Sequence, residues 1–288
     1  MKIPNFWAKA TAEGTTAGGK ALAFSCWRSS DTSEADAHQS ALSAATRILD
    51  ALLRGQNLDR YSYGRGPLRE EVLNKVCDGR GDPIAVITRN SYGSLILNAE
   101  RVMFVDIDFP PVATGEATRH FFARLLGRAK TSPESEREEK ARRDIERFAV
   151  ENAAWGFRLY RTFAGLRAIV TQDVFDPKGS IALETLQRLG SDPLYIRLCK
   201  VQECFRARLT PKPWRCGHCA STLRYPIDDP GLAGRFEQWK VTYDARQRDY
   251  ATCRFLGQVG NGDVHPEAGQ VIELHDFATR CNEPLPLA

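Results

Sequence analysis

The stretch VMFVDIDFP, residues 102–110, decides how this chain is read. Val102, Met103, Phe104, Val105 and Ile107 call for a buried strand, and Pro110 with Pro111 ends it because proline donates nothing to a ladder. Side chains two apart in a strand share a face, so Asp106 and Asp108 emerge together where the strand meets a loop. Such a carboxylate pair suits Mg²⁺ or Mn²⁺, which take oxygen ligands. Two such metals serve an in-line phosphoryl or nucleotidyl displacement. The plainer alternative is that these aspartates cap a turn.

Outward from this strand, residues 84–88 and 95–97 flank a turn at Asn90 to Gly93, which predicts a three-strand meander with 102–107. Upstream, residues 21–27 suit a strand, and 34–54 suit a helix stopped by Gly55. A loop is expected over 56–66 and a helix from Pro67 to about 76. Downstream, helices are expected over 117–126 and over 133–149, the second capped by Ser132-Pro133. Two strands, 157–162 and 166–171, join through Phe163-Ala164-Gly165. Then come helices over 181–189 and 194–199, a strand over 204–209, a helix over 232–248, a strand over 251–259 and a helix over 266–281. This order predicts an α+β fold, an antiparallel or mixed sheet with flanking helices.

A hydrophobic content of 42% and a charged content of 26% in 288 residues exclude disordered and fibrous classes. Eight cysteines are too few for a disulfide scaffold. No apolar run approaches the roughly 18 residues of a membrane span, and the start lacks an apolar signal core, so a cytoplasmic protein without a membrane partner is expected. The net charge of +4 hides a cancellation, because windows 156–170 and 196–215 carry +8 and the remaining residues −4. In the first window Arg161 and Arg167 flank the glycine turn, where a guanidinium fork can grip phosphate. In the second, Arg206 and Arg208 share a strand face, followed by Lys212 and Arg215.

Taken in order, VDID, YRTFAGLRAIV and CFRARLTPK resemble the archaeo-eukaryotic primase (primase-polymerase) superfamily, in an uncharacterised bacterial branch. The resemblance implies an RRM-like primase palm over 84–212, an N-terminal α/β elaboration over 1–83 and a C-terminal helical elaboration over 213–288, in one integrated fold. It implies catalytic Asp106, Asp108 and, as third acid, Asp192, with Mg or Mn as cofactor. It further implies that Arg161, Arg167, Arg206, Arg208 and Lys212 bind the phosphates of a nucleotide or nucleic-acid partner. Arg167 stands where the family has a histidine, and arginine cannot act as a neutral imidazole. The expected activity is a metal-dependent nucleotidyltransferase. Alternatives are a metal-dependent phosphoesterase or nuclease, and a non-catalytic nucleic-acid-binding protein using the basic strands and Trp214.

Cys216-Gly-His-Cys219 is half of a zinc ribbon, and Cys199 with Cys204 would complete a four-cysteine structural zinc site. Free thiols are the alternative. His275-Asp276 falls on a predicted helix, where neighbours point about 100° apart and cannot act as one bidentate ligand; capping or a solvent-facing role is expected, and the alternative is that either member reaches a site built on the sheet. Gly14 to Lys20 matches GxxxxGK but is followed by Ala21 and precedes its strand, so it is not a P-loop.

Overall fold

The computed structural model describes residues 1–56, 67–109 and 133–288, in two compact units, Met1–Glu70 and Glu71–Ala288. The helix expected over 117–126 and the loop over 57–66 lie outside the described residues.

In the first unit, β1 (Phe6–Thr15) pairs antiparallel with β2 (Ala21–Ser30), and α1 (Glu34–Leu53) packs on the hairpin. Ser33 caps α1, accepting from the Asp36 amide at 3.1 Å. The apolar set is small: Ala12, Ala45 and Leu49 form the buried cluster, letting helix and hairpin approach closely. β1 is absent from the sequence reading because its buried alternation, Ala8, Ala10 and Ala12, uses a weak strand former. The GxxxxGK match is the hairpin turn itself, closed by the Thr16 amide donating to the Lys20 carbonyl at 2.9 Å.

The second unit is α+β with two antiparallel four-stranded sheets. Its elements in chain order are β3 (Glu71–Cys77), β4 (Pro83–Arg89), β5 (Leu95–Ala99), β6 (Phe104–Asp108), α2 (Pro133–Glu151), β7 (Gly156–Thr162) and β8 (Gly165–Val170). There follow α3 (Ser180–Arg188), α4 (Pro193–Gln202), β9 (Phe205–Arg208), a 3₁₀ turn (Pro213–Arg215), α5 (Pro230–Gln247), β10 (Cys253–Gly260) and α6 (Pro266–Thr279). One sheet has the order β3-β4-β5-β9 and the other β10-β7-β8-β6.

Two expectations are corrected. The helix over 67–76 is instead the edge strand β3, paired with β4 from Glu71↔Arg89 to Cys77↔Pro83 and tied by an Arg89–Glu71 ion pair at 3.5 Å. Pro67 suggested a helix start, but the free edge of β4 claims the segment. The three-strand meander is also broken. β5 pairs with β9, while Met103 already accepts from the Val170 amide at 3.0 Å and delivers β6 to β8. Periodicity identifies strands; it does not identify their partners.

Both sheets share one core, in which Leu97, Phe205, Phe104, Leu159 and Ile169 pack with Ile145 and Phe148 of α2, Leu186 of α3 and Val271 of α6. Every residue of β8 is buried, including Arg167. No helix among the described residues is long and apolar enough to cross a membrane.

Candidate functional site

Asp106 and Asp108 occupy the end of β6 on one strand face, opposite Arg167 and Gly165 of β8 respectively. Gly165 is required there, because a Cβ would sit 2.1 Å from the Ile107 carbonyl oxygen. Asp192 arrives from the other side as the N-cap of α4, its Oδ1 accepting from the Tyr195 amide at 2.9 Å. Its own amide donates to the Asp106 carbonyl at 3.0 Å, fastening the cap to β6. Tyr195 adds a second tie by donating its hydroxyl to the Phe104 carbonyl at 2.9 Å. The Asp108 carboxyl is pushed above the ordinary carboxylate range by burial and then by the charges of Asp106 and Asp192. Lys212 and Arg208 partly offset this.

The opposing cations come from β9 and the turn after it. Burial and the neighbouring Arg208 and Arg215 charges push the Lys212 ammonium below its usual value, against the pull of Asp108 and Asp106. Arg215, which the sequence reading left off the site, is lowered by burial and by Arg208 and is coupled to Asp108. Three mutually repelling cations thus act on Asp108, which is itself crowded by Asp106 and Asp192.

Aromatic rings line this rim. The Arg215 guanidinium lies 4.1 Å over the ring of Phe163, at the β7–β8 turn. Lys212 lies 5.6 Å from the ring of Trp214, which meets Tyr92 edge-on at 5.3 Å. The Asn90 side chain holds the β4–β5 turn that presents Tyr92, accepting from the Tyr92, Gly93 and Ser94 amides at 3.2, 3.1 and 3.0 Å. Phe163 and Trp214 are about half exposed, at 49% and 52%.

Arg161 and Arg167 are engaged within the protein. Arg161 pairs with Glu138 of α2 at 2.9 Å, donates to the Thr162 and Gly165 carbonyls at 2.6 and 2.8 Å, and lies 5.3 Å over Phe109. It clamps the hairpin to α2. Arg206 stands opposite Asn98, and its charge acts on the Cys199 thiol. Arg167, expected on phosphate, is only 3% exposed; Nε lies 3.5 Å from Asp106 Oδ1, and Nη1 donates to the Arg208 carbonyl at 3.0 Å and approaches His275 Nε2 at 3.3 Å. It is a buried counter-charge to Asp106. His275 itself is fully buried, against the expected capping or solvent-facing role; His265 caps α6 instead, accepting from the Glu267 amide at 3.2 Å.

At the CxxC segment, Cys216 is buried and donates to the Pro213 carbonyl at 3.2 Å, and burial raises its thiol pKa. Cys219 is exposed. Between them His218 stacks on Trp239 at 5.2 Å, and Trp239 stacks on Tyr243 at 5.1 Å and donates to the Cys219 carbonyl at 2.9 Å. Cys199 and Cys204 are buried, the latter 4.0 Å from Asn98 Oδ1. Among the described residues, no three His, Cys, Asp or Glu side chains form a ready-made metal-ligand group.

No protein-family model matches the chain, and neither does any curated protein or solved structure.

Proposed function

We propose that this chain is a metal-dependent nucleotidyltransferase with a primase-polymerase-like palm, acting on nucleotides or nucleic-acid ends. The observation that carries this is the charge cluster at the end of β6. Asp108 is raised by burial and then by Asp106 and Asp192, and the charges of Arg208, Lys212 and Arg215 act on it. The connectivity supports the palm: β6, then α2, β7 and β8, with β8 inserted between β6 and β7.

The donor set fits a hard divalent cation. It consists of carboxylate oxygens only, and their mutual repulsion is what a cation relieves. Asp106 and Asp108 would hold Mg²⁺ or Mn²⁺, with the second oxygen of Asp192 as the weaker ligand. When bound, the metal supplies charge neutralisation at the reacting phosphorus and at the attacking oxygen. The protein's own part is positional and electrostatic. Arg208, Lys212 and Arg215 hold triphosphate oxygens and stabilise charge that builds on the leaving group. Trp214 and Phe163 offer ring faces on which a base stacks beside those cations.

The experiment is incorporation of labelled nucleotide on primed and unprimed strands with Mn²⁺. Asp106→Ala and Asp108→Asn are expected to lower the rate at least about 100-fold, since the metal's contribution is several kcal/mol. Equal rates in wild type and variants overturn the assignment. Strand shortening in place of lengthening moves the same site to phosphodiester hydrolysis. Binding that is steeply salt-dependent but indifferent to EDTA and to Asp106→Ala makes the protein a nucleic-acid binder, the reading favoured by the exposed Trp214 rim.

A further inference from the structure

We infer that His275 is the positioning residue of the carboxylate site: its unprotonated Nε2 accepts a hydrogen bond from Arg167 and holds that guanidinium against Asp106. The inference rests on the proposed role of Asp106 as a metal-binding carboxylate, and it concerns a residue of α6 that lies far from β6 in sequence.

The geometry is a chain of groups running across one face of the sheet, from β7 past β8 to β6. Arg158 Nη2 donates to Asp276 Oδ2 at 2.6 Å, and Arg158 Nε donates to the Tyr160 hydroxyl at 2.9 Å. The Tyr160 hydroxyl in turn donates to Asp276 Oδ1 at 2.7 Å. Asp276 Oδ1 lies 3.0 Å from His275 Nδ1, and His275 Nε2 lies 3.3 Å from Arg167 Nη1. Arg167 Nε ends the chain 3.5 Å from Asp106 Oδ1. Charge alternates along it, cation, anion, neutral ring, cation, anion.

Only one protonation state of the ring satisfies both neighbours. An ionised carboxylate accepts and never donates, so Nδ1 carries the proton toward Asp276. A guanidinium donates and never accepts, so Nε2 is bare toward Arg167. An imidazolium would set two donors against each other in a fully buried place. Burial lowers the His275 pKa to about 4 and the Arg167 charge opposes protonation, which agrees with the neutral ring the contacts require. The ring plane is fixed by Tyr160 at 4.8 Å edge-on and by Phe104 at 5.7 Å, while the Cys253 sulfur lies 4.0 Å from Nε2.

Arg167 needs this support. Its Nε is buried and makes no hydrogen bond, being too far from Asp106 for one, so the Asp106 contact does not by itself fix the guanidinium. The two acceptors at Nη1, the Arg208 carbonyl and His275 Nε2, do. Through Arg167, His275 orients Asp106 in the way that outer partners orient a metal-binding carboxylate.

The test compares two neutral amides in the full-length chain. His275→Gln places an acceptor oxygen where Nε2 stands, whereas His275→Asn reaches only the Nδ1 position. Mn²⁺ alone is titrated and read by the electron paramagnetic resonance of the free ion. His275→Asn is expected to weaken Mn²⁺ binding about 10-fold, within the range for outer-sphere partners of a metal site, and His275→Gln less than about 3-fold. In parallel, ¹⁵N NMR of the wild type without metal is expected to show a proton on Nδ1 and none on Nε2. It should also show slowly exchanging Arg167 guanidinium protons, lost in Asn and kept in Gln. A proton on Nε2, or equal affinities and equal Arg167 exchange in all three proteins, overturns the inference. Should His275→Asn not fold, the wild-type tautomer and Arg167 exchange decide. A wild type that binds no Mn²⁺ but shows the Nδ1–H tautomer and protected Arg167 overturns the metal reading while His275 remains the group that fixes Arg167.

Discussion

The end of β6 and the turn at residues 216–219 both gather metal-type donors, and opposite forces hold them. At β6, burial and then the neighbouring carboxylates raise Asp108, and burial and then the neighbouring cations lower Lys212, so like charges are crowded on both sides of the site. At residues 216–219 packing holds the donors, although His218 Nε2 is buried without a hydrogen-bond partner and the Cys219 thiol is exposed. The His218 ring is stacked on Trp239, the Cys216 thiol donates to a carbonyl, and Tyr243 donates to the Pro211 carbonyl at 2.6 Å, which anchors the stack. The difference teaches that donor spacing alone does not make a binding site. Crowded like charges that the facing cations only partly offset favour an incoming counter-ion, whereas a stacked ring and a bonded thiol hold residues 216–219 without one, at the cost of the unpartnered His218 Nε2.

Two glycines let each region be broken separately. Gly165→Ala would put a methyl 2.1 Å from the Ile107 carbonyl, and Gly93→Ala, at φ 102°, would put one 2.0 Å from the Trp239 ring. Gly165→Ala is expected to cost about 3 kcal/mol from overpacking against backbone, and Gly93→Ala about 3–5 kcal/mol because its positive φ adds strain to the overpacking. For a unit of this size, thermal melts should then drop by roughly 6–20 °C. Mn²⁺ binding should be lost in Gly165→Ala, and the near-ultraviolet signal of the indole stack should be lost in Gly93→Ala. Loss of both signals in both variants would show that the two regions are one cooperative structure.

The next largest effect belongs to the β6 side and depends on pH. His275 has a folded pKa of about 4, below its ordinary 6.5, so folding favours the neutral ring. Its contribution is complete above about pH 6.5 and is lost as pH falls through that value toward 4, amounting to about 3 kcal/mol between pH 7 and pH 4. The groups facing the ring are Arg167, Asp276, Tyr160 and Cys253, with Arg158 and Asp106 one step further. Asp276 reinforces the trend. Burial raises its carboxyl, but hydrogen bonds from His275 and Tyr160 outweigh that and lower it, so its contribution also fades in acid. Urea unfolding of His275→Gln across this range should lack the imidazole part of the slope.

A smaller effect separates charge crowding from packing. Asp108 is raised in the fold, so its ionised form opposes folding at neutral pH and that penalty eases as pH falls. Asp108→Asn should therefore raise the melting temperature of the metal-free protein. The gain should stay under about 1 kcal/mol, because the carboxylate keeps contact with solvent, which is under roughly 4 °C. The same substitution should remove the stabilisation that Mn²⁺ confers. A lowered melting temperature would mean that Asp108 is a structural cap.

The smallest effect concerns the other region. Cys219 is exposed, and Cys219→Ser is expected to change stability by less than about 0.5 kcal/mol. A structural zinc ion would turn that into a loss of many kcal/mol, readable as unfolding by a chelator.

Much of this arrangement was legible beforehand. The Asp-x-Asp strand end is visible because period-two alternation places Asp106 and Asp108 together whatever the strand pairs with. Asp192 came only from the resemblance, as the third acid; its place as the N-cap of α4 is what the structure adds. Arg208 and Lys212 were found as a local excess of charge. What escaped notice depends on contacts distant in sequence. Arg161 and Arg167 lie in one hairpin with the same charge, yet one clamps Glu138 and the other is buried against Asp106. The one available signal was that Arg167 interrupts an otherwise apolar strand, GLRAIV. For His275 and Asp276 the helical geometry argues against a bidentate pair but leaves either free to reach the sheet; in the structure Tyr160 helps bring the carboxylate to the ring.

By itself the sequence determined the α+β character of the chain, most of its strands and helices, and the co-facing of two carboxylates at a strand end. These follow from backbone geometry that repeats every two or 3.6 residues. Only the tertiary structure decided that β5 pairs with β9, that β6 joins β8, and that Arg208, Lys212 and Arg215 face Asp108. It alone decided that a histidine 108 residues away from Arg167 bears on its guanidinium. Strand partners and buried charge networks are chosen by which unsatisfied edges and ions remain once the core has closed, and that choice has no period along the chain.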